Sequence, residues 1–164
     1  MTDENNYLDI MIESLQKKEK ILDNLIAKCE AQAEVIANNE YGDIAWDKFN
    51  VLIVEKDALI DRLNDSDEGF QALYDRISED LKANKDRYAD KIRMIQDLIR
   101  TVTDKGVTIK AKEERNRADL ERVLTGAKKE IGGQRKSLSA ASNYYNTMAG
   151  AFATEIPSQL DQKK

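Results

Sequence analysis

An all-α fold is predicted by three features of the sequence. Apolar residues recur at intervals of seven over most of the chain, as they do along a helix that packs against another helix. Charged residues make up 35% of the chain and aromatic residues only 6%, and there is a single proline, a composition typical of long solvated helices. These features favour an antiparallel helical hairpin packed on a long third helix, in an elongated helical bundle or coiled coil.

The first two helices are predicted to form the hairpin. A helix is expected over residues 4–38, because apolar side chains repeat there every seven residues: Leu8, Leu15, Leu22, Cys29 and Ile36. A second helix is expected over residues 43–63, with Asp43 as its N-cap. Its buried side would use Trp46, Phe49, Leu52, Ile53, Leu59, Ile60 and Leu63. The short connection makes the two helices antiparallel.

The third helix is predicted over residues 68–131. The polar stretch Asn64-Asp65-Ser66-Asp67 before it indicates a helix boundary, because its side chains can cap a helix end. Beyond it one seven-residue repeat continues through Tyr74, Leu81, Tyr88, Ile95, Val102 and Ile109. A break between Ala83 and Asp86, or between Thr103 and Gly106, is the alternative to a continuous helix. Residues 1–133 would form the bundle.

The C-terminal region, residues 134–164, is predicted to be an amphipathic helix with a flexible tail. It continues an apolar seam that begins in the third helix and alternates steps of four and three: Leu120, Leu124, Ala127, Ile131, Gln134, Leu138, Ala141, Tyr145, Met148 and Phe152. The seam crosses Gly132 and Gly133, each of which costs about 1 kcal/mol of helix propensity relative to alanine. A weakly held helix with an aromatic and methionine-rich seam is suited to binding a protein partner.

The candidate partner-binding residues lie on this segment. They are Leu138, Ala141, Tyr144, Tyr145, Met148 and Phe152. The alternative is that Tyr145, Met148 and Phe152 fold back and complete the core of the bundle.

Residue types argue against an enzyme. The chain has no histidine, the commonest general base and metal ligand, and no catalytic residues, cofactor or metal site are expected. The acidic pairs, such as Glu113-Glu114, lack the Glu-x-x-His pattern of di-metal bundles, and we interpret them as structural. The single Cys29 falls on the first seam, where a thiol behaves as a small apolar group.

Charge and hydropathy argue against nucleic acid and membranes. The net charge is -5, and residues 1–66 hold 15 acids and 7 bases, a balance of -8, which would repel nucleic acid. No apolar run approaches the roughly 20 residues of a membrane span, and the first residues lack the order of a signal peptide. A cytoplasmic protein is expected, and a lone cysteine fits that compartment.

Three stretches of the chain resemble the FlgN family of flagellar type III export chaperones. They are residues 55–70 (EKDALIDRLNDSDEGF) with residues 73–77 (LYDRI), residues 109–120 (IKAKEERNRADL), and the ending, with a Tyr-Tyr pair at 144 and 145, a nearby methionine and Asp-x-Lys-Lys at 161–164. The likeness extends over nearly the whole chain in length and helix order.

The resemblance implies a non-enzymatic chaperone in the cytoplasm. Such a protein binds the C-terminal helical segments of hook-filament junction proteins, keeps them from assembling early and delivers them to the flagellar export apparatus. In such families the C-terminal helix carries substrate binding, which maps here onto Leu138, Ala141, Tyr145, Met148 and Phe152.

Two alternatives remain open at the level of sequence. The FliT family of filament-cap chaperones is similar in size and pattern. A structural coiled-coil adaptor, homodimeric through the long helix, would show the same heptads.

Overall fold

The computed structural model of the protein describes residues 2–127 and residue 144. Its described elements are all helices: α1 spans Thr2–Ile36, a 3-10 helix spans Tyr41–Asp43, α2 spans Trp46–Ala83 and α3 spans Ala89–Ala127. At a rise of 1.5 Å per residue, the three long helices are each between about 52 and 59 Å long. The predicted all-α fold, with a helical hairpin packed on a long third helix, is confirmed.

Ion pairs between the helices show an up-down-up topology. Lys28 Nζ lies 2.9 Å from Glu55 and Lys18 Nζ lies 2.5 Å from Asp67, so α2 runs antiparallel to α1. Lys91 contacts Asp9 at 2.7 Å and Lys112 contacts Glu30 at 3.2 Å, so α3 runs parallel to α1. Helix α1 packs against both of the others.

The predicted apolar repeats form the core. Every member of the first repeat is buried, from Leu8 to Ile36, and so is every member of the later repeat from Tyr74 to Ile109. The second-helix seam is also buried, apart from the half-buried Trp46. Burial of these side chains supplies the main favourable free energy of folding.

The predicted boundary at residues 64–67 is wrong. Helix α2 continues through this stretch to Ala83, so the second helix does not end at 63 and the third does not begin at 68. The polar side chains are used between helices: Ser66 Oγ lies 3.4 Å from Ser14 Oγ, and Asp67 accepts a hydrogen bond from Lys18. Leu63 and Phe70, seven residues apart, are both buried. Packing on both sides therefore outweighs the modest helix-propensity cost of the four polar residues.

The turn between α2 and α3 lies at residues 84–88, where the alternative break was expected. Asn84 ends α2 by donating from its backbone N–H and its side-chain amide to the carbonyl oxygen of Asp80, at 3.0 and 3.1 Å. Leu81 and Tyr88, on either side of the turn, are both buried. The seven-residue repeat therefore crosses the turn without interruption, and periodicity alone could not locate it.

The connection between α1 and α2 differs from the prediction at the end of α1 and at the N-cap of α2. Helix α1 ends at Ile36, two residues before the predicted end, and Asn39 donates a side-chain hydrogen bond to the carbonyl oxygen of Val35 at 2.9 Å. Asp43 belongs to the 3-10 helix and is not the N-cap of α2, which begins at Trp46 without a side-chain cap. The Trp46 indole donates to the backbone oxygen of Tyr41 at 3.2 Å instead.

Substitution of Gly69 tests the continuity of α2. Gly69 lies in the helix interior, and nothing lies within 4 Å of an added Cβ. Gly69→Ala should therefore raise the free energy of unfolding by about 0.5–1 kcal/mol, because alanine loses less backbone entropy in a helix. Urea unfolding monitored by circular dichroism measures the change. A destabilised variant would contradict a helix that continues through this position.

The predicted C-terminal parts of the molecule fall largely outside the described residues. These are the end of the third helix at 131, the Gly132-Gly133 pair, and the region 134–164 apart from Tyr144. In the part of the chain that the structure does describe, none of the helices carries the long apolar stretch that a membrane span requires.

Candidate functional site

A cluster of polar side chains lies inside the otherwise apolar bundle. We call it the polar layer; its members are Cys29 and Gln32 of α1, Lys56 of α2, Glu113 and Asn116 of α3, and Tyr144. All six are buried. Since Lys and Glu are almost never fully buried unless they are paired, this cluster is the most unusual part of the described core.

The ammonium of Lys56 is fully enclosed, and Gln32, Glu113 and Tyr144 contact it. It donates to Oε1 of Gln32 at 2.5 Å and to Oε1 of Glu113 at 2.6 Å. Its nitrogen also lies 4.4 Å from the centre of the Tyr144 ring, within the range of a cation–π contact. The positive charge is thus held by one carboxylate, one amide oxygen and one aromatic face.

The carboxylate of Glu113, on α3, contacts one residue of α1, one residue of α2 and Tyr144. Its Oε1 accepts from Lys56 and from the Cys29 thiol, whose Sγ is 3.3 Å away. Its Oε2 accepts a hydrogen bond from the hydroxyl of Tyr144, 31 residues further along the chain. Tyr144 therefore contacts the bundle, and its hydroxyl donates to a buried charge.

Asn116 links α3 to α1, Gln32 links α1 to α2, and one amide donor of Gln32 is left unused. Asn116 donates from its amide to the backbone oxygen of Cys29 at 3.0 Å. Gln32 accepts from Lys56, whereas its buried Nε2 has no hydrogen-bond partner among residues 2–127 and 144. An unsatisfied buried donor costs about 1–3 kcal/mol, so this amide lowers the free energy of unfolding of the protein.

The environment of Cys29 makes its thiol unreactive. The pKa of the Cys29 thiol is raised to about 12, chiefly because burial disfavours the thiolate; the nearby Lys56 charge lowers the pKa and the Glu113 carboxylate raises it. Because the thiolate is the nucleophilic form, a thiol with so high a pKa is a structural group. The interpretation of Cys29 as a buried seam residue agrees with this position.

The same shift predicts alkaline destabilisation. The unfolded thiol ionises near its ordinary pKa of 9.0 whereas the native thiol stays protonated to about 12, so the unfolded state binds fewer protons in this interval. The stability from Cys29 is therefore complete below pH 9 and is lost as the pH rises towards 12. Urea unfolding at several pH values in this range should show a steeper loss of stability in the parent protein than in Cys29→Ala. Equal slopes would mean that the native thiol ionises normally.

The structure describes one of the six predicted partner-binding residues. Tyr144 is buried, with 3% of its surface exposed, and contacts Lys56 and Glu113. The other five lie outside the described residues: Leu138, Ala141, Tyr145, Met148 and Phe152. That these residues bind a partner therefore stays a prediction.

The polar layer was not predicted from the sequence, although the sequence contains a signal for it. Gln32, Lys56 and Glu113 each occupy a seam position, three or four residues from buried neighbours such as Cys29, Ile53 and Ile109. A polar residue on the seam of every helix indicates buried partners. The pattern cannot say which residues meet, because that depends on the alignment of the three helices.

The remaining surface of the described residues offers weaker candidates. An open groove of about 410 Å³ between α1 and α2 is lined by Ile10, Glu13, Ser14, Lys17, Ile21, Arg62, Asp65 and Ser66. The exposed large apolar side chains are few and are distributed over three helices, which is normal for a protein surface. In residues 2–127 and 144, no three acidic, histidine or cysteine side chains are grouped so that they could hold a metal ion.

The comparisons with known proteins leave the family open. No family model matches the sequence, and no curated protein or solved structure matches it significantly.

Proposed function

We propose that the protein is a cytoplasmic, non-enzymatic export chaperone of the FlgN type. It would bind the C-terminal helical segments of hook-filament junction proteins, keep them from assembling early and pass them to the flagellar export apparatus. The partner helix would lie along the seam residues that follow and precede Tyr144 in the C-terminal segment.

The observation that carries the proposal is the attachment of Tyr144 to the bundle. This contact holds one point of the amphipathic C-terminal segment against a folded helical platform. Leu138, Ala141, Tyr145, Met148 and Phe152 flank the attached residue on both sides in the sequence. An amphipathic helix held in this way suits recognition by helix pairing, in which apolar residues three and four apart contact the partner.

The polar layer links the stretches that resemble the FlgN family. Lys56 belongs to residues 55–70, Glu113 and Asn116 belong to residues 109–120, and Tyr144 opens the Tyr-Tyr pair. In the folded protein these residues contact one another or share a partner within the layer. This convergence supports the proposal because the stretches that carry the resemblance build one buried cluster.

A charge on the proposed contact seam tests the function. Met148→Asp would bury an unpaired carboxylate between two helices, so we expect binding to a junction-protein C-terminal segment to weaken roughly ten- to hundredfold. Isothermal titration calorimetry with purified segments measures the affinity, and circular dichroism checks that helix content is unchanged.

The matched control is Asn146→Asp, which places the same charge two residues away and off the predicted seam. We expect its affinity to stay close to that of the parent protein, because exposed substitutions have small effects. Equal losses in both variants, or no loss in either, would remove the seam as the binding site. Binding to segments of the filament-cap protein alone would favour the FliT-type alternative.

A further inference from the structure

The buried Lys56–Glu113 pair is poorly explained by stability. Removing two charges from water is costly, and replacing such a pair with apolar residues of similar volume is often neutral or stabilising. The orphaned amide of Gln32 adds to the cost. A buried polar group in a helical bundle has a better-attested role, which is to select one alignment of helices over others.

Both charged groups of the pair are contacted by particular residues of the polar layer. One carboxylate oxygen of Glu113 accepts from Lys56 and Cys29, and the other accepts from the hydroxyl of Tyr144. The ammonium of Lys56 has the Gln32 oxygen, the carboxylate and the Tyr144 ring around it. Tyr144 thus serves both charges, the cation with its ring and the anion with its hydroxyl.

The apolar seam of the C-terminal segment does not by itself define a register. Leu138, Tyr145 and Phe152 are spaced by seven, so a shift of seven residues along the sequence replaces one large apolar residue with another. Apolar burial is non-directional and tolerates such a shift. A shift of three or four residues along the sequence would bring Ala140, Ala141, Thr147 or Met148 to the pair, and none of these can offer both a ring and a phenolic hydroxyl.

We propose that the Lys56–Glu113 pair is an alignment device that accepts Tyr144 in one register and so fixes where the C-terminal segment meets α2 and α3. Tyr144 is the positioning residue of the segment. The device acts within the chain, and its test requires no partner protein.

The direct test replaces the charges with apolar side chains of similar size and observes the Tyr144 ring. In the full chain with ring-labelled tyrosine, Tyr144→Phe identifies the signal of residue 144 among the six tyrosines. In the double variant Lys56→Met with Glu113→Met, we expect this signal to split or broaden, and its nuclear Overhauser contacts to the side chains at positions 56 and 113 to be lost. A single, sharp signal with contacts to these two positions would overturn the proposal.

A second measurement tests the proposal without the double variant, in case that variant does not fold. Cys29 is the sole cysteine and contacts Glu113, so its rate of labelling by a thiol reagent reports how often the layer opens. Tyr144→Phe leaves one carboxylate oxygen without its donor, and we expect labelling to accelerate roughly tenfold or more. Tyr74 is a buried tyrosine about 27 Å from Lys56 along α2, and Tyr74→Phe should leave the labelling rate almost unchanged. Equal rates in the parent protein and Tyr144→Phe would overturn the proposal.

Discussion

Replacing Glu113 with methionine should lower the free energy of unfolding by about 3–5 kcal/mol, because the fully buried ammonium of Lys56 then has no counter-charge. Methionine fills a similar volume, so the loss comes mainly from the uncompensated charge. The Tyr144 hydroxyl also loses this acceptor. For a domain whose total stability is typically about 5–15 kcal/mol, this is a large share.

Urea unfolding of three variants separates the charge from other effects. Lys28→Ala removes an ion pair with Glu55 between α1 and α2 at a partly exposed position, and it should cost no more than about 1 kcal/mol. Adding Lys56→Met to Glu113→Met should recover most of the lost stability, because no unpaired charge remains. A Glu113→Met protein as stable as Lys28→Ala would contradict the buried-pair account.

Much of the core was predictable because helical burial leaves a periodic trace. The repeats from Leu8 to Ile36 and from Tyr74 to Ile109 identified residues that are all buried in the structure. The assignment follows from geometry, since residues seven apart lie on the same face of a helix. The fold class followed from the same periodicity together with the composition.

Helix boundaries were less predictable because capping residues have other uses. Ser66 and Asp67 match a helix-start pattern, yet in the structure they contact Ser14 and Lys18 of α1. Asn84 ends a helix through contacts with the preceding turn, and the repeat on either side of it shows no change of phase. Whether the helix ends at residues 64–67 or at residues 84–88 depends on contacts between helices, which the sequence does not display.

The candidate site was only partly predictable for the same reason. Tyr144 was among the expected contact residues, but its burial against Lys56 and Glu113 could not be foreseen. Lys56 is 24 residues from Gln32 and 57 residues from Glu113, its two hydrogen-bond acceptors, so no local pattern connects them. They meet because, in the up-down-up bundle, these residues lie at the same height along α1, α2 and α3.

Truncation of the chain after Ile131 should abolish partner binding while leaving the bundle folded. It removes the seam from Leu138 to Phe152 and retains α1, α2 and α3. It also removes Tyr144, and loss of that buried hydrogen bond should cost roughly 1–3 kcal/mol of stability. Circular dichroism and urea unfolding should show a helical protein that unfolds cooperatively at a lower urea concentration. Loss of the folded state would instead mean that the seam residues complete the core.

The most direct test of the proposed chaperone function is calorimetric titration of the full and truncated chains with the C-terminal segment of a hook-filament junction protein. We expect saturable binding of one segment to the full chain, and no measurable heat of binding to the chain that ends at Ile131. Binding of the segment to both chains with the same affinity, or to neither, would contradict the claim that the C-terminal segment forms the partner site.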